Sequence, residues 1–364
     1  GAVFAWAAQV TIEPPDRLSA AGPFLGVGES PQADSQPAFV AIVDPRPEID
    51  ALAQSLSCER LSDLAMLPDK VCDAAIIATP NHNHFATAMA CLERGLPCLI
   101  EKPITDDLAE GEKLVATFDA AGIPMLVGHH RRYHPFVTDT KELLASGEIG
   151  HPVCASTIWA VKKPDSYFKA GAWRLGADGG PLMINFIHEI DLMRCLFGEL
   201  IEVNALASNN QRQTPVEDTA AMLMRFEGGM IATAILSDAA LTPWSFEGAS
   251  GENPNIASTG ISSWRIGCSK GAFEFPVLRV WKNNGTDLGD WSKPLASQQL
   301  KSEQVAPLER QLEHFVDLVH GVTDGPMVSG REGLTSLRAT KAVMMSAQTN
   351  RRILLSEFDS KSIS

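Results

Sequence analysis

Residues 179–198 read GGPLMINFIHEIDLMRCLFG. Three side chains in this stretch can do chemistry: Asn185, His188 and Asp191. An imidazole moves protons near neutrality, a carboxylate orients or charges it, and a carboxamide holds an oxygen. The stretch from Pro181 to Phe197 has the apolar content of a helix. At about 100° per residue, His188 falls near −60° and Asp191 near −120° from Asn185. Ile184, Leu192 and Cys195 share that sector. The three polar groups therefore do not form a separate solvated stripe. They are either a satisfied core constellation or one wall of an active site.

Other reactive side chains fall at the ends of short apolar runs. AFVAIVDP (38–45) ends in Asp44, and AAIIATP (74–80) leads into NHNHFATAMACLERG. PCLIEKP (97–103) ends in Glu101, Lys102 and Pro103, and PMLVGHH (124–130) runs into HHRRYHP. Fully apolar short strands alternating with helical patterns predict a parallel sheet buried on both faces. Ligands of such doubly wound domains sit at the carboxyl ends of the strands. Asp44 stands where dinucleotide folds place an acid for the ribose hydroxyls, or it is a turn residue before Pro45. Thr79, Pro80, Asn81 and His84 form a helix entry that either faces a cofactor or only caps the helix. Lys102 either points into the cleft or makes a surface ion pair. His129 and Arg131 crowd the same edge.

After about residue 150 the pattern changes to strands with hairpin signals, EGG at 227–229 and SKG at 269–271. The expected architecture is α/β. A Rossmann-type doubly wound parallel sheet spans 1–132. An α+β domain with an open, largely antiparallel sheet spans 133–328. A helical segment at 329–364 packs back on the chain. Residues 247–262 read as a loop.

The chain has 364 residues, 30 basic against 44 acidic and a formal charge of −14. That balance excludes nucleic acid as the main partner, because phosphate binding needs a basic surface. Seven cysteines without a C-x-x-C pair predict reduced thiols, a cytoplasmic setting and no metal centre. No apolar run has the length of a membrane span. GAVFAWAAQV lacks the basic start of a signal peptide.

Taken in order, ATPNHNH, EKP, GHHRRYHP, GGPLMINFIHEIDLMRCLFG and EDTAAMLMRFEGG resemble the Gfo/Idh/MocA oxidoreductases, from about Phe39 to the last helices. The resemblance implies a Rossmann domain holding NAD(H) or NADP(H), with Asp44, Thr79, Pro80, Asn81, His84, Glu101, Lys102, His129 and Arg131 along the cofactor. It also implies an open sheet that often forms an oligomer face, giving a homodimer or tetramer. Lys102 and His188 then line the site of hydride transfer, with Asn185 and Asp191 beside them. Lys162, Tyr167, Trp173 and Arg174 lie near a small-molecule substrate: a sugar, a cyclic polyol or a hydroxylated ring. Asp44 favours NAD, because its charge repels a 2′-phosphate, while Arg46 weighs the other way.

Two departures stand out. Many relatives carry Asp four residues before the catalytic His, where Ile184 stands here. Gly22, Gly26 and Gly28 do not have G-x-G-x-x-G spacing, and Pro23, Pro31 and Pro37 interrupt the helix that should follow. Cofactor binding is therefore expected to be weak or lost. The alternative reading is a cofactor-free lyase or isomerase, or a non-catalytic sensor on the same fold.

Overall fold

The computed structural model describes residues 2–7, 38–169, 171–176, 179–283, 291–303 and 305–359. The irregular glycine segment lies outside them. The chain divides into two compact units, Gly1–His130 with Pro307–Leu337, and Arg131–Ala306 with Arg338–Ser364. Residues 329–364, read from sequence as one segment, are thus shared between the units.

The first unit holds a six-stranded sheet of β1 (Ala2–Ala7), β2 (Ala38–Val43), β3 (Glu59–Leu61), β4 (Ala74–Ala78), β5 (Cys98–Ile100) and β6 (Met125–Val127). The order across the sheet is β3-β2-β1-β4-β5-β6, the Rossmann order. β2 pairs in parallel with β3, and β4, β5 and β6 pair in parallel in turn. Their burial is near complete: Ile42, Ala74, Ile77, Cys98, Ile100 and Val127 are sealed from solvent. This explains why these runs carry no alternation.

β1 is the exception. It runs antiparallel to both neighbours, with Ala2 opposite Ala78 and Ala7 opposite Ala38. At the carboxyl edge of the parallel strands β1 therefore presents its beginning, not its end. The family resemblance implies instead a strand that ends there in a glycine turn. Helix α2 (His84–Glu93) and helix α3 (Leu108–Ala121) connect the later strands. The Asp107 carboxylate accepts from the Glu110 amide at 2.9 Å and caps α3, and Gly122 closes it at φ 65°. Residues 328–333 lie along β6: the Val127 amide donates to the Val328 carbonyl at 2.9 Å. A Cβ at Gly333 would fall 2.6 Å from the Val127 side chain, so only glycine permits this approach. The edge strand is thereby covered.

The second unit is built on a nine-stranded sheet. It includes β7 (Pro152–Ala160), β8 (Leu200–Ser208), β9 (Thr219–Phe226), β10 (Ile231–Ser237), β11 (Trp264–Cys268) and β12 (Gly271–Phe275). β9 and β10 form the hairpin expected at EGG, and β11 and β12 the one at SKG. β7 and β10 pair in parallel, and the other pairings are antiparallel. The strands alternate: Ala220, Met222, Met224 and Phe226 are buried, while Leu223 and Arg225 face outward. On the inner face Trp264 and Phe226 pack near Phe197 at ring distances of 6.2 Å each. Part of the expected loop at 247–262 is instead a helical turn, Phe246–Ser250, capped by the Ser245 hydroxyl on the Gly248 amide at 2.9 Å. No described helix is long and apolar enough to cross a membrane.

Candidate functional site

In the first unit the parallel strands bring four chain ends to one edge. Asp44 follows β2, Thr79 follows β4, Glu101 and Lys102 follow β5, and His129 follows β6. The shared direction of the parallel strands, expected from their uninterrupted apolar runs, brings these residues to that edge. Asp44 is fully buried. Its carboxylate accepts from the Arg46 amide at 2.9 Å, from Arg46 Nε at 3.0 Å and from Arg46 Nη2 at 2.7 Å. Burial works against the ionised carboxyl, but the Arg46 hydrogen bonds and charge outweigh it and hold Asp44 below the usual carboxylate range. The Arg46 side chain itself is 55% exposed.

Thr79 Oγ1 is buried and has no hydrogen-bond partner among the described residues. An unsatisfied hydroxyl at a strand end is what a bound ligand would complete. Asn81 and Pro80 begin the short turn before α2, with Asn81 half-buried and Pro80 exposed. His84 has a different task from the one expected. Its ring is buried, with Nδ1 2.7 Å from the Pro103 carbonyl and Nε2 2.9 Å from the Thr79 carbonyl. It ties the end of β4 to the loop after β5 and offers no ring nitrogen to a ligand. Burial pushes its pKa down, against the pull of the two carbonyls. Glu101 is half-buried, and a Cβ at Gly128 would lie 3.0 Å from its Oε2 and 3.1 Å from its Cα. Lys102 is half-buried and joined to Pro103 by a cis peptide bond.

In the second unit, the helix that carries Asn185 and His188 does not begin as an α-helix. Leu182–Phe186 form a π-helical turn, followed by α6 (Ile187–Phe197). Such turns recur at functional positions, and this one changes the angular phase assumed for a regular helix. His188 is buried in the first turn of α6. Asp191 takes both Arg132 Nη2 and Nε, at 2.7 and 2.9 Å. That bidentate pair assigns it to holding helix and loop together.

Arg131 also departs from expectation. It is 2% exposed. Nη1 donates to Glu189 at 2.7 Å, Nη2 to Glu247 at 2.5 Å and Nε to Glu252 at 3.1 Å. Trp264 Nε1 donates to Glu189 at 2.7 Å and Trp159 Nε1 to Glu247 at 2.8 Å. All three of its nitrogens donate to carboxylates inside this unit, which gives it a structural role there.

Among the substrate candidates, Lys162 is exposed. The neighbouring Lys163, which sequence reasoning missed, turns inward, and its Nζ lies 2.6 Å from Asn185 Oδ1. The alternation of side chains beyond β7 is the signal that separates the two. The Tyr167 ring lies under Lys163 at 4.8 Å and under the Arg174 guanidinium at 4.0 Å. The Trp173 side chain lies outside the described residues. Among the described residues no group of His, Cys, Asp and Glu is arranged to hold a metal.

Fold and strand ends define a two-unit protein built on a dinucleotide-binding sheet. Residues 24–129 match the family model described as "Oxidoreductase family, NAD-binding Rossmann fold", and residues 137–274 match the "GFO/IDH/MocA C-terminal domain". The chain belongs to the Gfo/Idh/MocA oxidoreductase family. It is 32% identical to inositol 2-dehydrogenase 1 of Saccharopolyspora erythraea over 38% of this chain and 39% of that protein. It is 24% identical to D-apiose dehydrogenase of Paraburkholderia graminis over 89% of this chain and 84% of that one. The chain thus spans about two fifths of the length of the inositol dehydrogenase it matches. The WlbA dehydrogenase of Bordetella pertussis, solved with NADH and UDP-GlcNAcA, superposes with a TM-score of 0.68 at 23% identity, over 87% of this chain and 89% of that one.

Proposed function

We propose that the protein is an NAD(P)-dependent oxidoreductase that transfers hydride between a nicotinamide and a secondary alcohol of a sugar, cyclic polyol or hydroxylated ring. The observation that carries this reading is the gathering of Asp44, Thr79 and Lys102 at the carboxyl ends of a β3-β2-β1-β4-β5-β6 sheet. The inositol and apiose dehydrogenases support it over the cofactor-free alternative. Asp44 with Arg46 would hold the adenosine ribose, the unsatisfied Thr79 hydroxyl and Asn81 the adjoining backbone, and Lys102 the nicotinamide end. The bound dinucleotide supplies a carbon that accepts or returns the hydride. His188 takes the proton of the alcohol, as a neutral imidazole does best near neutrality. Lys102, at the nicotinamide end of the strand edge, would donate a hydrogen bond and stabilise negative charge that grows on an oxygen there. Tyr167 and Arg174 serve the substrate.

The test mixes the purified protein with NAD⁺ or NADP⁺ and a panel of myo-inositol, D-apiose and levoglucosan, and follows the absorbance of the reduced nicotinamide. Appearance of that signal with at least one polyol supports the reading. Absence of both turnover and cofactor binding would sink it.

Cofactor choice turns on Arg46 and not on Asp44 alone. A carboxylate already bound by a guanidinium has lost most of the repulsion it would offer a 2′-phosphate, and Arg46 Nη1, the nitrogen not on Asp44, would bond that phosphate. NADH and NADPH are therefore expected to bind with similar affinity, in place of the NAD preference read from Asp44. In Arg46→Ala, NADPH affinity should fall about 10-fold or more, the loss of one or two charge-assisted bonds. NADH affinity should hold or improve. Fluorescence titration with both cofactors checks this, and equal losses for both would remove Arg46 from the selection.

The outward face of the second sheet carries Ile201, Leu206, Leu223, Ile231 and Ile235, each at least 41% exposed. An apolar face of this kind supports the homo-oligomer expected from the sequence, and sedimentation of the purified chain tests it.

A further inference from the structure

Lys163 is 9% exposed and belongs to no part of the chemistry described so far. Its Nζ lies 2.6 Å from Asn185 Oδ1, 3.4 Å from Asp238 Oδ2, and over the rings of Tyr167 at 4.8 Å and Trp159 at 5.7 Å. Its own amide is fixed to the Asp238 carbonyl at 2.9 Å, so the lysine stem has little freedom. An ammonium has donors only. It therefore dictates which end of the Asn185 carboxamide faces it: the oxygen. The Nδ2 group must face away, and it makes no hydrogen bond among the described residues. Asn185 is half-buried, sits in the π-helical turn and precedes His188 by one helical turn.

We infer that Lys163 is a positioning residue that locks Asn185 as a hydrogen-bond donor, so that this part of the site receives an oxygen acceptor: the carbonyl, alkoxide or ring oxygen of the substrate. The lock itself stands on the geometry alone; its use in binding substrate rests on the hydride-transfer reading. A lock of this kind compensates for Ile184, which stands where many relatives carry an acid. The oxygen is held by a neutral donor.

The groups acting on Lys163 are Asp238 after β10, Arg212 before β9, Glu247 in the Phe246–Ser250 turn, Glu217, and the Tyr167 ring. Burial pushes the amine down to about 8, Asp238 pulls it back and Arg212 pushes it further down. Below that pH the ammonium enforces the orientation. Above it the neutral amine can accept from Nδ2, the carboxamide is free to turn, and the lock is lost. Asp238 keeps its partner without the lysine, because Arg212 donates to both its carboxylate and its carbonyl. Lys163→Met is thus compatible with the fold.

The experiment labels the asparagines of the whole protein with heavy nitrogen and follows the side-chain signal of Asn185, identified by its loss in Asn185→Asp. The signal should shift with a midpoint near pH 8, and that shift should vanish in Lys163→Met. A signal that ignores both pH and the substitution overturns the lock, whether or not the protein turns over any polyol. In steady-state assays on the polyol panel, Lys163→Met and Asn185→Asp should raise KM about 10-fold with a smaller change in kcat, the loss of one hydrogen bond. Lys163→Arg, which also has donors only, should restore most of it. Wild-type KM in Lys163→Met overturns the role in substrate binding. If the unsubstituted chain turns over no polyol while the titration appears as described, the lock stands and the hydride-transfer reading is the one that fails.

Discussion

Lys102→Met and His188→Gln should each lower kcat/KM by about 10²–10⁴-fold, the loss expected for a positioned acid–base or charge-stabilising group, with thermal unfolding changed little. Lys102 follows β5 half-buried, at the strand edge where Asp44, Thr79 and Glu101 also lie. A methionine keeps the length of the stem and removes the charge. His188 is 8% exposed in the first turn of α6, and glutamine keeps a polar group of similar reach without the basic nitrogen. Steady-state kinetics and a thermal melt on the same samples separate chemistry from folding. Turnover at the wild-type level in either variant would remove that residue from the reaction. Collapse of both folds would assign the helix face to the core.

The largest loss of stability should follow Arg131→Met. This guanidinium faces Glu189, Glu247 and Glu252, all buried, and stacks on the Phe246 ring at 4.4 Å. Removing one partner of a buried ionic cluster costs about 3–5 kcal/mol, because the charges left behind are uncompensated. For a chain of this size that lowers the melting temperature by roughly 10 °C. The deficit should also depend on pH. Burial pushes Glu189 up to about 7, against the pull of Arg131. A carboxyl whose folded pKa exceeds its unfolded value contributes stability that is present at low pH and lost as pH rises through the folded value. Without Arg131 the Glu189 value rises further, so the deficit should be smaller near pH 5 than near pH 8. A deficit independent of pH, or none at all, would show that the cluster is not the ionic core described.

Of the first unit, the sequence was enough for the strands β2, β4, β5 and β6 and for the helices α2 and α3, but not for β1 or β3. Parallel strands buried on both faces leave uninterrupted apolar runs, and their polar ends are visible as Asp44, Thr79 and Lys102. The two hairpins of the second unit were equally legible, because glycine between strand-like runs, EGG in one and SKG in the other, encodes a turn locally. His188 and Asn185 could be singled out because polar residues on an apolar helix sector need partners. The partners themselves could not. Arg131 meets Glu189, Glu247 and Glu252 across 58, 116 and 121 residues, and no periodicity relates positions so far apart. The same holds for His84, whose two ring nitrogens are taken by backbone carbonyls, which have no side-chain signature. The reversal of β1 is a matter of pairing direction, which an apolar hexapeptide does not specify by composition. Lys162 and Lys163 are chemically identical in the sequence; only the pleat beyond β7 and the π-helical turn at Leu182–Phe186 decide that the second one reaches Asn185. Local pattern fixed which residues can do chemistry and on which elements they sit. Packing decided which of them are already spent on one another, because a buried charge or donor is satisfied by whatever the fold brings within about 3 Å.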